Sequence, residues 1–262
     1  MPSTKPTNKA PRVSVYNMTE TEWVPSGPTG IWQQNIRNDP AAGRWFGGVR
    51  FEPLSRSGVH RHLGPAASFM LGGSLVDHVT RMSGGQAVIN LTGAVHDVIC
   101  YDTSHFVARV DGAILYPRDR NGVLDELGAA AANAGESVDE TVGQPADLIV
   151  EAVAPLPGPV AGLARQPLFD YAGEAWQARY AQLVMAPGTQ VPAHVTTGMT
   201  DLFVLAGEIR AGDEPAGSGC YVVIEAETEL TLSTRYGARL LAWADAPVRW
   251  LDGRDRGDLY GF

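Results

Sequence analysis

The chain has 262 residues, 44% of them apolar, and 29 acidic against 20 basic residues give it a net charge of −9. That acidity excludes the basic face that nucleic acid requires, while the length suffices for one large or two small cores. It contains no run of 18 apolar residues, no charged-then-apolar N-terminus, and only two cysteines, Cys100 and Cys220; the expectation is a cytoplasmic protein with no membrane partner and no disulfide framework.

Thirty glycines and eighteen prolines between short Val/Ile/Leu/Phe runs predict an all-β chain with many turns. Residues 1 to about 12 carry Pro, Ser, Thr and Lys with almost nothing apolar, which predicts a flexible tail, bounded here at residue 20. Trp23 and Trp32 read as strand packing, and Arg44, Trp45 and Phe46 as residues closing the mouth of a site. Next comes His60-Arg61-His62. Residues i and i+2 of a strand share a face, so two imidazoles point one way and Arg61 the other. Phe69 and Leu71 share a face opposite Met70, and these two are pocket candidates. His78, within Leu75 to Val79, reads as a non-ligand. His96 follows the turn Thr92-Gly93-Ala94. Three neutral imidazoles converging in a β framework suit Fe(II), Zn, Ni, Cu or Mn, and are wrong for Mg or Ca. On the return strand, Tyr101, His105 and Arg109 are further pocket candidates, able to hold an oxyanion or orient O2. Ala-rich Leu124 to Asn133 is the best helix candidate, and residues 135–145 read as a polar connector.

The chain then repeats itself. Ala186 to His194, followed by Asp201 to Glu208, reproduces the earlier pattern, with His60 and His194 each 13 residues before Gly73 and Gly207. In that register His62 becomes Thr196, Ala67 becomes Asp201 and His96 becomes Leu230, beside Glu229 and with Glu227 nearby. One histidine and scattered carboxylates make a poor ligand set, so the second copy is expected to be structural. The alternative is a divergent second site from His194, Asp201 and Glu227 or Glu229. Cys100 and Cys220 fall in comparable β segments and read as small core residues.

Gly58 to Gly73, containing His60 and His62, resembles the first cupin motif, and Gly93-Ala94-Val95-His96 resembles the second. His60 to Pro65 and Val110 to Tyr116 are similar to the branch holding the diketone-cleaving and dihydroxyacetophenone dioxygenases. The general pattern also resembles the cupin halves of anti-sigma factors. The resemblance spans Trp23 to Leu124 and implies two tandem cupin barrels (double-stranded β-helix, jelly-roll). The expected boundaries are a tail at 1–20, an N-terminal cupin at 21–125, a linker with a short helix at 126–165 and a C-terminal cupin at 166–262. The motif's glutamate position holds Ala66 or Ala67, with Ala67 expected to face the metal; the diketone type works with three histidines alone. The resemblance implies an Fe(II) dioxygenase, with His60, His62 and His96 as ligands, that cleaves a carbon–carbon bond in a β-dicarbonyl or hydroxyketone. The expected partners are a small-molecule substrate and O2, and the candidate assembly is a homodimer. A non-redox isomerase or lyase and a metal-binding sensor without turnover are the rival classes.

Overall fold

The computed structural model describes residues 13–116, 145–172, 177–254 and 256–261. The helix expected at 124–133, the first twelve residues and most of the connector lie outside the described residues. Among the described residues the regular structure is strand throughout, apart from one 3-10 turn at Val150–Ala152. A seven-stranded sheet and two three-stranded sheets form the first half and an eleven-stranded sheet the second, each large sheet including one strand from the other half. No described helix is long and apolar enough to cross a membrane.

The sequence repeat reappears as a shared pairing register. His60 pairs with His96, as His194 pairs with Leu230. Ile114 pairs with His62, as Val248 pairs with Thr196. Ala66 lies between Asn90 and Val110, as Thr200 lies between Ile224 and Ala244. Even the bulges correspond: one falls between Asn35 and Arg37, the other between Pro167 and Phe169. Gly73 and Gly207 close the repeated strands at φ of 72° and 80°. A side chain on either would collide with a carbonyl, of Thr103 or of Gly237, so only glycine fits there.

Two strands depart from the expected boundaries. Val13–Asn17, inside the stretch expected to be a flexible tail, pairs antiparallel with Cys220–Ile224 of the C-terminal sheet. Pro145–Ile149, inside the expected linker, pairs with Gln86–Asn90 of the N-terminal sheet. The two are equivalent, because Val13 opposes Ile224 and Pro145 opposes Asn90 at matching positions of the repeat. Each half therefore gives its first strand to the other. Each is short and follows a polar stretch, and an edge strand needs only backbone pairing to join a sheet.

The large sheets pack face to face. Between them lie Phe46, Ala67, Phe69, Ile89 and Val107 from the first half and Tyr180, Phe203, Tyr221, Leu241 and Trp243 from the second. At the edge of this apolar layer sits an ionic cluster. Arg109 is 1% exposed and engages Asp111, Asp201 and Asp245, while Arg37 donates from Nε to Asp201 at 3.1 Å. Buried charges of this kind hold only when paired and hydrogen-bonded.

Candidate metal centre

The strand His60–His62 is three residues long and both imidazoles turn inward, 5% and 4% exposed, while Arg61 faces out. His96 arrives directly opposite His60 from the strand Val95–His96 and is also buried. Gly93, at φ 92°, makes the turn that delivers it, and its N–H donates to the His62 carbonyl at 2.8 Å. The three residues each offer a nitrogen within 4.8 Å of the others, the one such cluster among the described residues.

The outer ring nitrogens fix two of the tautomers. His60 Nδ1–H donates to the Gly58 carbonyl at 2.9 Å, and His96 Nδ1–H donates to Asp77 Oδ2 at 3.2 Å. Both therefore aim an Nε2 lone pair inward. His62 Nε2 faces His96 Nε2 at 3.1 Å, and its own Nδ1 is buried with no hydrogen-bond partner. Burial, reinforced by the neighbouring imidazoles, pushes the His60 pKa down to about 4 and that of His62 to about 2. At neutral pH His60 and His62 are thus neutral nitrogen donors, which is what a transition metal or zinc takes. The residues present fit such an ion. Asp77 stands where an outer carboxylate would orient His96 toward such an ion. It was missed in the sequence beside His78, which is exposed. Its one local signal was the turn it caps, accepting from the N–H groups of Val79 and Thr80 at 2.8 Å each.

The trio opens on a cavity of about 440 Å³ inside the N-terminal half. Its walls include the even-numbered residues Ala66, Ser68, Met70, Val88, Asn90, Phe106 and Ala108, together with Leu75, Met82 and Phe51. Arg44, Trp45 and Tyr116 also line it; the Tyr116 ring lies 5.2 Å from that of His60.

Several expected site residues lie elsewhere. Phe69 and Leu71 point into the layer between the halves, and Met70 takes the cavity face assigned to them. Both faces of this sheet are covered, so alternation alone does not tell inside from outside. Ala67 is fully buried in the same layer; Ala66 is the one beside the histidines. Tyr101 is 57% exposed, His105 stands edge-on to Trp23, and Arg109 belongs to the ionic cluster. Of the mouth residues, Phe46 is core. In the second half His194 is fully buried and donates from Nδ1 to the Pro192 carbonyl at 2.8 Å, as His60 does to Gly58. Among the described residues no carboxylate joins it: Asp201 pairs with Arg37 and Arg109, while Glu227 and Glu229 are exposed. Glu227, at φ 58°, occupies the turn position of Gly93.

The family described as ChrR Cupin-like domain matches residues 12–114, which contain all three histidines. A structure of a proposed dioxygenase from Nostoc punctiforme PCC 73102 superposes over 94% of this chain and 85% of its own, at TM-score 0.71 and 9% identity. The fold is cupin-like. Oxalate decarboxylase from Bacillus subtilis is a further structural neighbour of this chain, at TM-score 0.60 and 12% identity over 88% of this chain and 75% of its own. Another structure of that enzyme was solved to study its Mn(II) centres, at TM-score 0.62 and 12% identity over 91% of this chain and 79% of its own. Identities this low speak for the cupin fold alone. No curated protein gives a significant match to the sequence.

Proposed function

We propose that the chain is a bicupin, two jelly-roll barrels in tandem, whose N-terminal barrel is a metal-dependent dioxygenase cleaving a carbon–carbon bond in a β-dicarbonyl or hydroxyketone. The observation that carries this reading is a buried three-histidine cluster, with Ala66 in the cavity wall, opening on a mainly apolar cavity. His60, His62 and His96 hold the ion, Fe(II) in this reading. When bound, the ion supplies a positive centre that favours an anionic pair of substrate oxygens and couples them to O2. The protein's own part is to bind, orient and keep dry. Asp77 fixes the His96 ring, and the Gly58 carbonyl fixes that of His60. Met70, Met82, Phe51 and Phe106 exclude water and receive the apolar body of the ketone. Burial raises the Tyr116 pKa, so its phenol keeps its proton and stands as a hydrogen-bond donor beside His60.

The second barrel is a structural half. Its repeat register and its lone buried His194 without a carboxylate support that reading. The test is metal analysis of protein purified without added metal, joined to an oxygen-electrode screen of 1,3-dicarbonyls. Iron with substrate-dependent O2 uptake is the expected result. Turnover without O2 uptake would make the protein a non-redox cupin, and tightly held zinc without turnover would make it a sensor.

A further inference from the structure

Asn90 is a polar residue of the cavity wall whose side-chain oxygen the scaffold leaves unsatisfied. It is 9% exposed, it lines the cavity, and its side-chain oxygen is buried with no hydrogen-bond partner among the described residues. Unpaired buried amides are rare because their desolvation is not offset. The repeat supplies an internal control: the equivalent position in the second half is Ile224, fully buried in a filled core and opposed by Thr200 as Asn90 is by Ala66. The scaffold therefore accepts hydrocarbon at this position and has no need of an amide. Asn90 also shares this cavity with the histidines. It opposes Ala66, four residues from His62 in the chain, and ends the strand whose next turn, at Gly93, hydrogen-bonds the His62 carbonyl.

We propose that Asn90 is a ligand-positioning residue of the histidine centre, its amide hydrogen-bonding the oxygen-bearing head of a bidentate anionic ligand in the space left open by Ala66. This rests on the metal-site reading but not on dioxygen chemistry. A half-turn of the amide exchanges its oxygen for its NH2, so it presents a donor to an anionic oxygen. Because the amide is neutral, it does so without repelling an anion, as a carboxylate at this wall would. The ligand class is a compact oxygen-chelating head, such as an enolate, α-hydroxyketone or hydroxamate, with an apolar remainder.

The probe is acetohydroxamate, a bidentate oxygen anion that needs no turnover. Its affinity is measured by titration on metal-loaded parent, Asn90→Leu, Asn90→Ala and Asn90→Asp proteins, together with metal content and the thermal midpoint of each metal-free protein. Expected is full metal content in every variant, a midpoint unchanged or raised in Asn90→Leu, and hydroxamate binding weaker by about tenfold in Asn90→Leu and Asn90→Ala. In Asn90→Asp the loss is at least as large, because its charge opposes the anion. Equal affinity in parent and Asn90→Ala would overturn the proposal, as would a parent that binds metal but no hydroxamate, or a lowered midpoint in both neutral variants. If the Asn90 effect appears while no dicarbonyl drives O2 uptake, the dioxygenase reading fails and this inference stands.

Discussion

His96 Nδ1 and Asp77 Oδ2 lie 3.2 Å apart, and in the proposed metal site this pair would orient the His96 imidazole. Replacing Asp77 with Ala should lower metal affinity by roughly 10–100-fold while the fold survives, since outer carboxylates act on ligand orientation and basicity. His60→Ala, His62→Ala and His96→Ala should lose the ion, and His78→Ala should keep it. Metal content after dialysis against a graded chelator reads all five, and full occupancy in His96→Ala would remove it from the ligand set. Proton affinity gives a second prediction. In the folded, metal-free protein His60 and His62 bind protons less readily than in the unfolded chain. Their contribution to stability is then complete above pH 6.5, the ordinary histidine value, and is lost as pH falls toward 4 and then toward 2. Each tenfold difference in proton affinity is worth about 1.4 kcal/mol. Urea midpoints of the metal-free protein should fall between pH 6.5 and 4, and the slope should flatten in His60→Ala/His62→Ala protein.

At the scale of the element, the strand Ala66–Gly72 separates two environments by one residue. Ala66 meets the cavity, and Ala67 is buried between the halves, directly opposite Arg109. Glutamate at 66 should keep or tighten metal binding and weaken an anionic chelator, through added charge and a blocked position. Glutamate at 67 should instead destabilise the whole protein by roughly 3 kcal/mol or more, because it forces a carboxylate into a closed apolar layer. Metal titration and denaturant midpoints on the two variants check this. Comparable behaviour of both would mean that the strand faces are not as described. The sequence made the alternation of this strand plain but not its sense. Phe69 and Met70 are equally apolar, and only the second sheet packed across one face decides which of them sees the ligand.

At the scale of the molecule, reciprocal strand exchange and the ionic cluster tie the halves together. The strand Val13–Asn17 covers the edge strand Cys220–Ile224, with Val13 and Val15 packed on the C-terminal core. Removing residues 1–17 should cost about 2–4 kcal/mol from two half-buried valines and a lost ladder, lowering the thermal midpoint by roughly 5–10 °C. Calorimetry reads it, and an unchanged midpoint would show that the strand is dispensable. The loss should also reach the distant metal centre. The two halves share the layer containing Phe46, Phe69, Tyr180 and Trp243, so loosening one loosens the wall of the other.

The sequence by itself determined the β class, the repeat with its register, and the three histidines, because each is written locally. Strand alternation places His60 and His62 on one face, a glycine turn precedes His96, and Gly73 and Gly207 mark positions where no side chain fits. The same locality made Leu230 the counterpart of His96 before any pairing was seen. The tertiary structure alone decided the rest. Asp77 reaches His96 across 19 residues of chain. Arg109 left the pocket because Asp201 and Asp245 of the other half bury it. Asn90 became conspicuous only once a cavity stood before it and Ile224 was found in its place in the other half. In each case the deciding partner lies far along the chain. A charge or an amide is read as solvent-facing until packing removes its water.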